Sequence, residues 1–370
     1  MDDELRVIIS GGGTGGHIFP AIAIANAVKE ARPKSRILFV GAKGRMEMQR
    51  VPAAGYETKG LPICGFDRKN PFRNVAVLWK IYKSQRMAAQ IIKQFHPAVA
   101  VGVGGYASGP TLNECAARGI PCLIQEQNCY AGVTNKLLAK KASCICVAYD
   151  GMERFFPEEK IVVTGNPVRQ QLLDNIMTHA EAAAAFGLEA GKKTILVVGG
   201  SLGARTINES MLRHLDDIEA SGVQFIWQTG KYYSAEIAER LKAHHPIPTL
   251  KVMDFITDMG AAYKASDMVI SRAGAGSISE LCLLGMPALL IPSPNVAEDH
   301  QTKNALALVD KEAAMYVKDS EALEMAVNLA IETVNNDSKL RELSDNIRML
   351  AMPGAARLIA AEVIRLGEMR

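Results

Sequence analysis

Short unbroken apolar runs recur along the chain, separated by longer stretches with the spacing of helices. "RVIIS", "RILFVG", "AVAVGVGG", "PCLIQEQN", "CICVA" and "IVVTGNP" mark the first half. "TILVVGGS", "VQFIWQTG", "LKVMDF", "MVISRAG" and "PALLIPSP" mark the second. A strand with one wet face alternates apolar and polar residues, whereas these runs do not alternate. They therefore predict strands buried on both faces, which means parallel sheets covered by helices. The rhythm restarts at Thr194, where "TILVVGGSLGAR" repeats the strand, glycine loop and helix start of "RVIISGGGTGGH". The pattern predicts an α/β protein of two doubly wound, Rossmann-like domains, joined near Gly165–Arg169. A last helical stretch, Ala355–Leu366, fits either domain.

Composition agrees and narrows the class. The chain has 370 residues, enough for two domains of ordinary size. It is 48% hydrophobic, 22% charged and 6% aromatic, as soluble globular proteins are. A net charge of +3 is too small for a nucleic-acid binder, so any basic surface must be local. "MDDELRVIIS" has neither the basic start nor the apolar core of a signal peptide, and no run approaches the ~18–20 apolar residues of a membrane span. The expected location is the cytosol. Seven cysteines, an odd number without a C-x-x-C, read as buried thiols rather than as disulfides or zinc ligands.

Four glycine-rich segments follow predicted strands: Gly11–His17, Gly102–Pro110, Gly199–Ala204 and Arg272–Glu280. In doubly wound sheets their tips gather at the carboxyl ends of the strands, where ligands bind. The first satisfies G-x-G-x-x-G, but a dinucleotide site needs an acid ending the second strand, and "RILFV" runs into Gly41-Ala42-Lys43-Gly44. The hydride-transfer reading fails there. What remains is glycine backbone that lets a ligand approach, with helix N-termini offering N–H groups to anions. Glu280, early in the helix after "SRAGAGS", either serves the helix dipole or accepts hydrogen bonds from ribose hydroxyls. His300, Gln301 and Asn304 carry side chains able to read sugar hydroxyls, or form a polar helix start.

Seven segments in this order ("GGTGGHIFPA", "GGYASGP", "EQN", "GNPVR", "GGSLGARTIN", "ASDMVISRAGAGSISE" and "DHQTKNA") resemble the MurG family of bacterial N-acetylglucosaminyltransferases, from about Val7 to about Ala307. Each motif alone is unspecific, whereas seven in one order are not. The resemblance implies the two-domain GT-B fold with a cleft between an amino-terminal acceptor domain (1–166) and a UDP-GlcNAc domain (167–350). The terminal helix (351–370) would pack back on the first domain. It implies an inverting transfer of GlcNAc from UDP-GlcNAc to the 4-hydroxyl of MurNAc in lipid I, which gives lipid II for the cell wall. Ser201 would contact the donor diphosphate, and Ile256 would bond the uracil through its backbone. Ala275, Gly276, Ser277, Ile278, Ser279 and Glu280 would wrap phosphates and ribose. His300, Gln301 and Asn304 would face the GlcNAc, and Arg169 would lie near the nucleotide. Thr14, Gly15, Gly16 and Asn128 would meet the transferred sugar and acceptor, and Gly13, Gly104, Gly105 and Tyr106 would cradle the acceptor. The family often reads H-E-Q-N where this chain has Gln125-Glu126-Gln127-Asn128, so no base is carried over to the first of these positions.

The implied chemistry needs a base for the attacking hydroxyl and positive potential for the departing diphosphate. Helix N-termini can supply the potential, and no D-x-D-type ligand cluster appears, so neither metal nor cofactor is expected. His17 is the first candidate base: histidine, with an ordinary pKa near ~6.5, is mostly neutral at neutral pH. Binding the acceptor phosphate or capping the loop are its other readings, and Glu126 is the second candidate base. Asp67–Lys93 holds seven basic residues and one acid. There Val75, Leu78, Trp79 and Tyr82 recur at helical spacing beside Lys80, Lys83 and Arg86. Such a helix either lies on an anionic membrane surface or packs its apolar stripe inward. With a lipid-linked acceptor implied, the expected place is the cytoplasmic face of the membrane, beside cell-wall or division proteins. A related UDP-sugar enzyme, such as a glycolipid glycosyltransferase or a UDP-GlcNAc 2-epimerase, and a non-catalytic nucleotide-sugar sensor are the competing readings.

Overall fold

A computed structural model of the chain describes residues 4–65, 74–168, 172, 176–200 and 202–369. The chain divides into two compact units, one of residues 1–168 with 352–370 and one of residues 169–351.

The first unit is built on a seven-stranded sheet. Its strands are β1 (Arg6–Ser10), β2 (Arg36–Ala42), β3 (Glu57–Leu61), β4 (Val99–Gly102), β5 (Cys122–Glu126), β6 (Cys144–Val147) and β7 (Ile161–Val163). They lie in the order β3-β2-β1-β4-β5-β6-β7, every pair parallel. The connecting helices are α1 (Gly15–Ala31), α2 (Glu47–Ala53), α3 (Asn74–Phe95), α4 (Ser108–Ala117) and α5 (Val133–Leu138). β1 shows why its run is apolar throughout. Val7 and Ile9 face one core with Ile18, Ile24 and Val28 of α1, while Ile8 faces the other with Ala88, Ile92 and Leu112. The final helix, Ala355–Glu368, belongs to this unit: Ile359 and Val363 join the α1 core, and Arg32 pairs with Glu368 at 2.7 Å.

The second unit repeats the plan with six strands. They are β8 (Thr194–Val198), β9 (Gln224–Gln228), β10 (Leu250–Met253), β11 (Met268–Ser271), β12 (Ala288–Leu290) and β13 (Met315–Tyr316). Their order is β10-β9-β8-β11-β12-β13, again parallel throughout. In each sheet the winding reverses between two neighbouring strands, β1 and β4 or β8 and β11. That switch point opens a crevice at the carboxyl ends. The expected doubly wound α/β architecture is present twice.

All seven cysteines are free thiols, and all but Cys64 are buried. Burial pushes the thiols of Cys122 and Cys282 up to about 12, which leaves them protonated and inert.

Candidate active site

In the first unit the loops after β1 and β4 meet at the switch point. α1 begins at Gly15, two residues before His17, so Gly15 and Gly16 form its first turn with Thr14 as the N-cap. The His17 ring lies across the loop, with Nδ1 3.1 Å from the Gly12 carbonyl and 3.3 Å from the Thr14 hydroxyl. A carbonyl can only accept, so Nδ1 carries the hydrogen, and in the neutral ring Nε2 carries the lone pair. The other edge of the ring faces the backbone of Gly104, where a Cβ would sit 2.9 Å from Nε2; only glycine fits. Ser108 fastens the second loop, its single hydroxyl hydrogen shared between the carbonyls of Ser10 at 2.7 Å and Gly104 at 2.8 Å. Tyr106 stands exposed beside it, its ring over the Cα of Gly65.

Two expected site residues in this unit have hydrogen-bond partners within the fold. Glu126 is 2% exposed, and both its oxygens are engaged. One accepts from the backbone N–H (3.1 Å) and side-chain amide (3.3 Å) of Asn128; the other accepts from the Gly132 N–H (2.9 Å) and the Asn135 amide (2.8 Å). A carboxylate holding four donors staples the loop that presents Asn128. Gly13, expected to cradle an acceptor, donates its N–H to Glu47 at 2.9 Å. No motif in the sequence marks Glu47. Gln125 is buried and donates to Asn166 at 3.0 Å, in a network that Asn166 extends to the Gln127 carbonyl.

In the second unit Ser201 and Arg169 lie outside the described residues. The helix Ala275–Leu284 starts behind Gly274, so Ala275, Gly276 and Ser277 form its first turn, a place where free N–H groups can take an anion. Ile278 points into the core, and Ser279 donates back to the Ala275 carbonyl. Glu280 is oriented by the Tyr263 hydroxyl at 3.2 Å, a positioning contact absent from the sequence reading. The N–H of Ile256 donates to the side-chain oxygen of Gln228 at 2.9 Å, and the Gln228 amide donates to the Gly200 carbonyl at 3.1 Å. Gln228 thus joins the two loops that the resemblance assigned to uracil and diphosphate.

Gln301 and His300 begin the helix His300–Val309, with Gln301 accepting from the Ser293 N–H at 2.8 Å. Glu298 and Asp299, just before it, both hold left-handed backbone angles (φ 57° and 49°), a strained entry to the helix. Asn304 is 0% exposed and donates to the Ala273 carbonyl at 3.3 Å, which braces the loop before Ala275.

The α3 surface separates its two sequence readings. Val77, Ser84, Ala88 and Ile92 face inward, whereas Leu78, Trp79 (67% exposed) and Tyr82 face outward with Lys80, Lys83 and Arg86. The rings of Trp79 and Tyr82 pack tilted at 30° with centres 5.7 Å apart, and Arg86 donates to the Tyr82 hydroxyl at 3.2 Å. The Val75 side chain and residues 66–73 lie outside the described residues. No described helix is long and apolar enough to cross a membrane.

Comparison with known proteins places these features in a family. Residues 7–147 match the glycosyltransferase family 28 N-terminal domain, and residues 194–358 match its C-terminal domain. A UDP-N-acetylglucosamine–N-acetylmuramyl-(pentapeptide) pyrophosphoryl-undecaprenol N-acetylglucosamine transferase from Bacteroides thetaiotaomicron is 64% identical, covering 100% of this chain and 99% of the relative. Its namesake from Porphyromonas gingivalis is 55% identical over 99% and 96%. The crystal structure of Acinetobacter baumannii MurG superposes with a TM-score of 0.78 at 29% identity, covering 98% and 99% of the two chains. A UDP-N-acetylglucosamine 2-epimerase structure from Listeria monocytogenes, at 12% identity and a TM-score of 0.68, shares the fold alone. The chain belongs to glycosyltransferase family 28.

Proposed function

We propose that the protein transfers GlcNAc from UDP-GlcNAc to the 4-hydroxyl of the MurNAc of lipid I, with inversion at the anomeric carbon. The observation that carries this reading is the 64% identity, end to end, with a relative named for that transfer. The acceptor oxygen attacks C1 of GlcNAc while the bond from C1 to the diphosphate oxygen breaks, and UDP leaves with the bonding electrons. The hydroxyl proton passes to Nε2 of His17, which the contact of Nδ1 with Gly12 keeps as the accepting nitrogen. Asn128, on the loop that Glu126 holds, meets the reacting sugars. In the second unit the helix start at Ala275–Ser277 stabilises the departing diphosphate; the resemblance adds Ser201 as a diphosphate contact and Arg169 near the nucleotide. Glu280 takes the ribose hydroxyls, Ile256 meets the uracil through its carbonyl, and His300 and Gln301 face the GlcNAc.

Two measurements test the assignment. UDP release should require a lipid-linked muramyl acceptor; release without acceptor, or isomerised UDP-sugar, would favour the epimerase reading, and no release a sensor. His17→Ala should lower kcat by about 10²–10⁴-fold with little change in KM for UDP-GlcNAc. Near-normal kcat would remove His17 from the chemistry.

The lipid-linked acceptor also requires access to a bilayer, and the outward face of α3 suits that task. Three exposed apolar side chains among basic neighbours match a helix lying on anionic headgroups. The protein then works at the cytoplasmic membrane face, where cell-wall and division proteins are its natural company. Flotation with anionic vesicles should show salt-sensitive binding that Trp79→Ala weakens; salt-indifferent binding, or none, would refute the contact.

A further inference from the structure

Glu47 opens α2, far from any motif, yet its side chain ends beneath the first glycine loop at 2% exposure. Among the described residues its hydrogen-bond partners are two backbone amides: Oε2 accepts from the Gly13 N–H and Oε1 from the Ala42 N–H, each at 2.9 Å. The slot it fills exists because of glycine. A Cβ on Gly12 would lie 2.3 Å from its carboxyl carbon, and one on Gly41 2.4 Å from its Cγ.

The N–H of Gly13 and the carbonyl of Gly12 are opposite ends of one peptide group. Glu47 holds the N–H end, and Nδ1 of His17 bonds the carbonyl end at 3.1 Å. A Gly–Gly peptide resists rotation less than any other, because neither flanking residue has a Cβ. Were this peptide to flip, its carbonyl would face the Glu47 carboxylate and its N–H would face His17. Nδ1 would then have to accept, the ring hydrogen would move to Nε2, and no lone pair would remain there for a hydroxyl proton.

We infer that Glu47 is a positioning residue for the transfer: through the Gly12–Gly13 peptide it fixes the tautomer and aim of His17. The arrangement is a carboxylate–imidazole pair with a peptide group interposed. Accepting from the N–H end polarises the peptide and strengthens the carbonyl as an acceptor for Nδ1–H. The inference rests on the proposed role of His17 for its catalytic consequence, though not for its geometry.

The test combines a mutant cycle with a spectroscopic readout. Glu47→Gln keeps the shape but cannot accept from both amides. It should lower kcat about 10–100-fold, as loss of an orienting partner does, with KM for UDP-GlcNAc unchanged. In a His17→Ala background the same substitution should cost nothing further, because its effect passes through the ring. Multiplicative losses in the double variant, or wild-type kcat in Glu47→Gln, would overturn the inference. Independently, ¹⁵N-histidine NMR of the unsubstituted protein, with His17 assigned by its loss in His17→Ala, should show hydrogen on Nδ1. Glu47→Gln should mix in the Nε2–H form. An Nε2–H ring in the unsubstituted protein would overturn the inference even if the variant fails to fold. A normal kcat for His17→Ala with the predicted spectra would sink the catalytic reading and leave the positioning geometry standing.

Discussion

The two units carry the same strand–glycine loop–helix device, and each braces it from below with a different group. In the first, the carboxylate of Glu47 accepts from the Gly13 N–H and ties that loop to the end of β2. In the second, the neutral amide of Gln228 donates to the Gly200 carbonyl and accepts from the Ile256 N–H. The difference follows what each loop is proposed to face. A buried negative charge suits a loop that aims a base and takes no anion on that amide. It would oppose a diphosphate, which needs the undiminished potential of N–H groups and a helix N-terminus. A repeated backbone thus acquires opposite electrostatics through one side chain beneath it.

The sharpest way to break the first brace is at its glycines. Gly12→Ala would push a methyl group to 2.3 Å from the Glu47 carboxyl carbon and load a residue at φ 143°. Displacing a buried carboxylate from two amides, with the backbone strain, should cost about 3 kcal/mol or more and remove most activity. Gly13→Ala meets no atom within 4 Å and carries only the strain of φ 90°, about 1–2 kcal/mol. Denaturant unfolding of both variants compares the two; equal losses would mean that the carboxylate contact contributes little. A smaller effect should come from making the second brace resemble the first. Gln228→Glu can no longer donate to Gly200 and puts charge beside the proposed diphosphate site, so KM for UDP-GlcNAc should rise about tenfold, or ~1.4 kcal/mol. An unchanged KM would separate Gln228 from donor binding.

How much of this is legible in the sequence depends on how far apart the partners lie. The unbroken runs of β1, β2 and β8 reveal two-sided burial, and the repeat at Thr194 reveals the second unit, because both are local patterns. The start of α1 at the glycine loop is equally local. Glu47 is not: its role depends on α2 folding back so that residue 47 lies under residues 12, 13 and 41, and in sequence it is only an acid at a helix start. Gln228 ends an apolar strand and reads as its polar stop. Asn304 and Glu126 show the converse, for both sit in motifs shaped like ligand contacts. Their burial and their bonds to neighbouring backbone, which brace the loops around them, depend on the fold and are invisible in the motif.

The smallest predicted effect probes a contrast in charge pairing away from either loop. In the second unit, Asp216, Asp217 and Glu219 of the helix Leu215–Ser221 each face a histidine: His244 at 3.0 Å, His214 at 2.6 Å and His245 at 2.7 Å. His244 is the informative one. Its Nε2 faces the Asp216 carboxylate, its Nδ1 faces the His245 carbonyl at 2.8 Å, and its ring stacks on His245 with centres 4.3 Å apart. Neither partner can donate, so the ring satisfies both only with two N–H groups. The Asp216 hydrogen bond first, then the His245 carbonyl, raises its pKa above the ordinary value. A raised folded-state pKa gives stability that is fully present below the unfolded value of ~6.5 and is lost as pH climbs through the folded value. The Asp217 pKa is lowered by His214, so that pair loses its contribution in the opposite direction, as pH falls through the folded value of the acid. His244→Asn should therefore flatten the decline in melting temperature above pH ~6.5 and leave the acid limb alone. If the variant declines in parallel with the parent, the pairing at His244 contributes nothing to the pH response. The electrostatic contrast between the units would then reduce to the groups beneath their glycine loops.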